Sequence, residues 1–93
     1  MENDMDFKDE AAIIEAVLLL EVEPVEESVI SKITELDRKV VTEALSVLAE
    51  RYKGDEFGFE PVLIAGGWTL SPKEKFWGAL KERYGKQRED RLS

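Results

Sequence analysis

The chain has 93 residues and a mass of 10.6 kDa, enough for one small domain with a modest hydrophobic core. It contains neither cysteine nor histidine, which excludes disulfides, thiolate metal sites, the commonest zinc ligand and every Ser-His or Cys-His catalytic pair. Its net charge of −8 opposes contact with a phosphate backbone unless the cations gather on one face. The residues 72–93 hold seven Lys/Arg against four acids, a local +3, while residues 1–71 hold six against seventeen, a local −11. This describes an acidic body with a basic helical tail, or a tail that leads as a linker into something beyond this chain.

The first ten residues are acidic and carry no secretory signal, and Ala16-Val-Leu-Leu-Leu20, the longest apolar stretch, is far short of a membrane span. Residues 1–9 read as a disordered acidic tail. From Asp9 to Val22 the pattern is helical, with Asp9 or an earlier aspartate as a candidate cap. Between Ala11 and Leu20 only Glu15 is polar. Ile13, Ala16, Val17 and Leu20 share one face, with Ile14 and Leu18 to one side and Leu19 to the other. A helix apolar almost all round requires cover almost all round, and a chain this short covers about half of it. Glu23-Pro24 ends that helix. Val25–Thr34 reads as a second helix with Val25, Val29 and Ile33 four apart and Ile30 beside them. After a tight connection, Asp37 caps a third helix running to about Tyr52, with Val41, Ala44, Leu45, Leu48 and Tyr52 on its core face and Gly54 as its stop.

Beyond Gly54 the period changes to that of strands. Residues 59–65 and 68–71 form a hairpin around a Gly66-Gly67 wing turn, with Pro61 marking the first strand as an edge. That turn sets Ala65 opposite Trp68, Ile64 opposite Thr69 and Leu63 opposite Leu70. One face then carries Leu63, Ala65, Trp68 and Leu70, and the other Val62, Ile64, Thr69 and Ser71. Both are largely apolar, so either the last helix folds back over the second face or another molecule covers it. Pro72 opens that last helix, which carries Phe76, Leu80 and Tyr84 on one face with Trp77 beside them and ends near Gly85. Residues 86–93 are a polar linker. Three helices followed by a hairpin and a helix make an α+β, mostly α, winged helix over residues 10–85.

No enzymatic chemistry emerges. The adjacent acids Glu26-Glu27 and Asp55-Glu56, and the Glu21/Glu23 pair, adjoin no base, ligand set or phosphate loop, so they read as solvated surface; no catalytic, cofactor-binding or metal residues are assigned. A winged helix that binds DNA carries cations on its recognition helix and wing. Here the middle of the third helix offers Thr42, Glu43 and Ser46, and residues 54–72 contain no Lys or Arg. Direct DNA binding by this domain is therefore disfavoured, although a DNA-binding transcriptional regulator stays as the alternative class, alongside a monomeric domain that meets only a foreign partner.

The helix ending in Glu23-Pro24-Val25, the helix-turn-helix after it and Val62-Leu-Ile-Ala-Gly-Gly-Trp-Thr-Leu70 together resemble the N-terminal winged-helix domain of the segregation and condensation protein B (ScpB) family. Ala65, Gly66, Gly67, Trp68 and Leu70 fall on that family's Ala-Gly-Gly-aromatic-x-Leu wing motif. The likeness covers about residues 10–93. Val22 stands where the family usually has glycine, Trp68 replaces a tyrosine or phenylalanine, and Leu63 and Thr69 occupy positions that are often polar. The resemblance implies a cytoplasmic, nucleoid-associated scaffold without enzymatic activity or cofactor. It would act in chromosome condensation and segregation, dimerising through this domain. Its partners would be the kleisin ScpA and, through it, the SMC ATPase, contacted mainly by a second winged-helix domain that this chain lacks. Candidate dimer-interface residues are Ile14, Leu18, Leu63, Trp68 and Leu70, where helix one and the wing carry more apolar surface than one domain covers, with Trp77 of the last helix.

Overall fold

Thirteen residues, Lys8–Leu20, wind into α1 of the computed structural model, which describes residues 7–92 and the side chains of residues 7–85. The expected tail over residues 1–9 falls, for residues 1–6, outside the described residues; Lys8 and Asp9 are already helical. Phe7, not an aspartate, occupies the cap position, in the left-handed region at φ 51°, and its carbonyl accepts the Ala11 amide at 2.9 Å. Its ring packs on the core, so burial rather than a capping side chain starts this helix. The helix stops at Leu20, two residues before Val22, because the chain must already be extended to reach the hairpin.

The reason lies at Val25. Its N–H donates to the Trp68 carbonyl at 2.8 Å and its carbonyl accepts the Trp68 N–H at 2.7 Å, a one-residue antiparallel bridge onto the wing. Helix α2 is therefore Glu27–Thr34, shorter than its apolar spacing suggests, since the hairpin claims Val25. Helix α3, Arg38–Arg51, follows Asp37 as expected, and places Val41, Ala44, Leu45 and Leu48 inside with Tyr52 behind them. The core comprises these residues with Ala11, Ile14, Leu18, Val25 and Ile30. Ile14, Ile30 and Val41 have no exposed surface.

Strands β1 (Phe59–Ile64) and β2 (Gly67–Pro72) pair antiparallel, with Leu63 opposite Trp68 and Ile64 opposite Gly67. The turn is thus Ala65-Gly66, not Gly66-Gly67. Both turn residues have positive φ, 51° and 85°, as the tight turns that match strand twist require. The register differs by two residues from the expected one, so each side chain keeps its face; only Ala65 leaves the sheet for the turn. At the base of the hairpin, the buried Lys73 donates from Nζ to the Gly54 carbonyl, and its backbone N–H donates to Gly58 at 3.0 Å. Helix α4 spans Glu74–Leu92 and continues through Gly85, where the sequence suggested an end. It packs only marginally on the other elements among the described residues, so it does not fold back as a lid over the hairpin. The result is the winged helix expected: three helices around one core, a two-stranded wing and a C-terminal helix.

Candidate interaction surface

Helix α1 settles which part of its apolar circumference is covered. Ala11, Ile14, Val17 and Leu18 are buried against α3, α2 and β2. On the opposite side Ala12, Ile13, Ala16, Leu19 and Leu20 are all exposed, Ile13 by 47%, Leu19 by 72% and Leu20 by 80%. The expected surplus is present but turned through half the helix. Ile14 and Leu18, read from the sequence as interface candidates, are core residues at 0% and 2% exposure. With apolar residues on every side, the amphipathic signal that would choose the inward face is weak, and α3 decides it by where Ala44, Leu45 and Leu48 lie. Glu15, the lone polar residue of that run, accepts a hydrogen bond from the Tyr52 hydroxyl and so belongs to the α1–α3 seam.

Of the remaining candidates, Trp68 and Leu70 are half-buried and pack on the core; Leu63 lies on the same sheet face but is exposed, as is Phe59 at the start of its strand. Trp77 is half-buried on α4. The second face of the hairpin is not the open apolar surface its composition suggested: Thr69 and Ser71 are buried and Val62 and Ile64 half-buried. On α2 the spacing of Val29 and Ile33 pointed inward, yet both are largely exposed and Ile30 alone enters the core, because the bridge at Val25 sets the rotation of that short helix. The exposed Leu19, Leu20 and Val22 were not singled out from sequence. Their signal was there in the unbroken apolar run to Leu20, which did not say which side would be left over.

The wing is locked to the helices. Trp68 donates from Nε1 to Glu27 Oε2 at 3.2 Å, and the Thr42 hydroxyl donates to Glu27 Oε1 at 2.7 Å, so one carboxylate ties β2, α2 and α3 together. Gly67, expected in the turn, instead sits where a Cβ would lie 2.8 Å from Pro24 Cβ and 2.9 Å from the Pro24 carbonyl carbon. The Glu-Pro-Val and Ala-Gly-Gly-Trp segments, some forty residues apart in sequence, form a single joint in which only glycine fits. Gly66 alone of the pair meets the turn's demand for positive φ.

Charged chemistry is sparse. Asp55 is held below the usual carboxylate range by the hydrogen bond from Lys75 (Nζ–Oδ1 2.8 Å), aided by that ammonium's charge. Among the described residues no cluster of acids could hold a metal ion, and no helix is long and apolar enough to cross a membrane. What the surface offers is therefore burial, concentrated on α1.

Comparison with known proteins follows the same line. The family model described as segregation and condensation complex subunit ScpB matches residues 12–93. The fold is similar to that in the crystal structure of ScpB from Mycobacterium tuberculosis, at a TM-score of 0.73 and 22% identity, covering 95% of this chain and 54% of that one. It is similar also to a crystal structure of a dimer of ScpB N-terminal domain complexed with ScpA peptide, at a TM-score of 0.74 and 23% identity over 82% of this chain and 88% of that one. A conserved hypothetical protein from Chlorobium tepidum matches at 0.65 and 22% over 81% of this chain and 50% of that one. The chain thus spans about half the length of the Mycobacterium protein. No curated protein matches the sequence significantly.

Proposed function

This chain belongs to the family of the segregation and condensation complex subunit ScpB, and on that premise we propose that it is a homodimerising scaffold in a bacterial SMC–ScpA–ScpB complex that condenses and segregates chromosomes. The family is non-enzymatic. The observation that carries the reading is the exposed apolar side of α1 on a chain of net charge −8. Monomeric soluble proteins rarely display such an uninterrupted strip without using it. The relative solved as an N-terminal domain dimer with a ScpA peptide supports extending both contacts here, a second copy and a kleisin segment. Kleisin contact through this half adds to the contact expected from a second domain. In this reading the protein works in the cytoplasm at the nucleoid, and ATP hydrolysis belongs to SMC.

A DNA-binding regulator is the weaker reading. The wing offers no cation between residues 54 and 72, and the Thr42 hydroxyl on α3 is engaged with Glu27 rather than free for a base edge.

Light scattering across a wide concentration range tests the dimer: a mass approaching twice 10.6 kDa is expected, and a monomer at every concentration refutes it. Titration with purified ScpA, read by calorimetry, tests the second contact. Saturable binding that persists in added salt is expected, and no heat at any concentration refutes kleisin contact by this half.

A further inference from the structure

Helix α4 leaves the body with little packing to hold it, so its direction is decided where it begins. Lys73 stands immediately before it and is bonded on both sides. Its backbone N–H donates to the Gly58 carbonyl at 3.0 Å, its Nζ donates to the Gly54 carbonyl, and its own carbonyl accepts the Phe76 N–H at 2.9 Å. The bonds to Gly54 and Gly58 reach both ends of the loop between α3 and β1, and the bond from Phe76 opens α4. Within the first turn, Lys75 Nζ meets Asp55 Oδ1 of the same loop at 2.8 Å. We propose that loop 54–58 and these lysines form a clamp that holds α4 at a fixed heading from the body, so that the helix acts as a stiff lever rather than a tether.

The loop is itself anchored. Phe57 packs on the core, and the Tyr52 ring lies edge-on to Phe57 at 4.7 Å and beside Phe59 at 5.1 Å. The Tyr52 hydroxyl donates to Glu15 on α1, so a load on α4 passes through the loop into the α1–α3 seam. The residue type points the same way. Lysine carries the wrong charge for a helix start, where the backbone dipoles are already positive. Its ammonium also loses solvation, since Lys73 is only 5% exposed. A small polar cap would start α4 at lower cost. What lysine adds is reach: an apolar stem that buries well, ending in a charged donor whose bond to a carbonyl is stronger than a neutral one. Asp55 lies in the field of both ammonium groups and offsets them. A local rule broken with so specific a compensation marks a joint that holds geometry rather than one that maximises stability.

The absence of native cysteine lets spin labels be placed in pairs. Lys39→Cys on α3 with Glu82→Cys on α4, both exposed, reports the heading by pulsed electron resonance, and Lys39→Cys with the exposed Glu23→Cys reports the body. Labelled protein diluted into an excess of unlabelled protein gives distances within one copy, so the outcome is independent of the dimer reading. With Lys73 intact, a single narrow α3–α4 distance is expected. A tilt of roughly 20° about Lys73 moves residue 82, ~13 Å further along the helix, by about 5 Å. Lys73→Met keeps the stem and deletes the ammonium, and should spread or shift the α3–α4 distance by about that much. Lys75→Ala should do so by less, with the body distance unchanged in both. In the protein without substitutions, the Lys73 and Phe76 amides should exchange with solvent more slowly than the Glu74 amide. A broad α3–α4 distribution with Lys73 intact, or fast exchange at Lys73, overturns the clamp. So does a Lys73→Met protein whose distribution is unchanged. Should Lys73→Met also disturb the body distance, Lys75→Ala decides: broadening supports the clamp and an unchanged distribution overturns it.

Discussion

Replacing Gly67 by alanine should damage this fold more than any other single methyl added at a glycine of the hairpin. The new Cβ would meet Pro24 Cβ at 2.8 Å, the Pro24 carbonyl carbon at 2.9 Å and the Val25 nitrogen at 3.0 Å, and two of these three are backbone atoms that no side-chain rotation can move. The segment must retreat as a whole. It then loses the two hydrogen bonds between Val25 and Trp68, each worth about 0.5–1.5 kcal/mol net. It also draws Val25, 5% exposed, partly out of the core, at about 1–2 kcal/mol. Less the ~0.5–1 kcal/mol that alanine gains over glycine in chain entropy, the expected loss is about 1–4.5 kcal/mol. Urea unfolding followed by tryptophan fluorescence and circular dichroism measures it. Two comparisons make the reasoning specific. Gly66→Ala enters open space but at φ +85°, and should cost about 1–2 kcal/mol. Gly58→Ala meets nothing within 4 Å outside the left-handed region, and should be neutral or slightly stabilising. Pro24→Gly should rescue Gly67→Ala only in part, since the backbone contacts remain. A Gly67→Ala protein within about 0.5 kcal/mol of wild type, or one less affected than Gly66→Ala, would refute the joint.

Leu18→Ala and Leu19→Ala, adjacent on α1 but one buried and one exposed, should separate core from surface: about 2–5 kcal/mol lost in chemical denaturation for the first and within about 0.5 kcal/mol for the second, measured on monomer at high dilution. Glu27→Ala removes the shared acceptor of Trp68 Nε1 and the Thr42 hydroxyl and should cost about 1–3 kcal/mol, with the tryptophan emission shifted, whereas Glu26→Ala at the exposed neighbouring position should do neither. Asp55, with its folded pKa depressed by Lys75, contributes stability above the unfolded carboxylate pKa that is lost as pH falls through the folded value. Lys75→Ala should return the Asp55 titration, read by NMR, to the ordinary carboxylate range; an unchanged curve would contradict the ion pair. Duplex DNA titrated against the protein at physiological salt should give no saturable binding, and a steep salt-dependent isotherm would revive the regulator reading.

Much of this protein was legible before its structure. Helix α3 declares itself by period, by Asp37 before it and by Gly54 after it, because its apolar residues occupy one side only. The wing is announced by a change of period and by two adjacent glycines, and its division into faces survives a two-residue error in register because strand side chains alternate with a period of two. The surplus apolar surface of α1 was also legible, since the run from Ala11 to Leu20 exceeds what a chain of this length covers.

Tertiary structure decided the rest, and for one physical reason: local pattern cannot choose among sites that satisfy it equally. A helix apolar all round has no preferred inward face until α3 offers a surface, so Ile14 and Leu18 went in and Leu19 and Leu20 stayed out. Either glycine of the pair at 66 and 67 could have formed the turn. The approach of Pro24 reserved Gly67 for close packing and left Ala65 to accept a positive φ. Val25 reads as helix by its spacing and became a strand partner because Trp68 supplied the two hydrogen bonds it could not make alone.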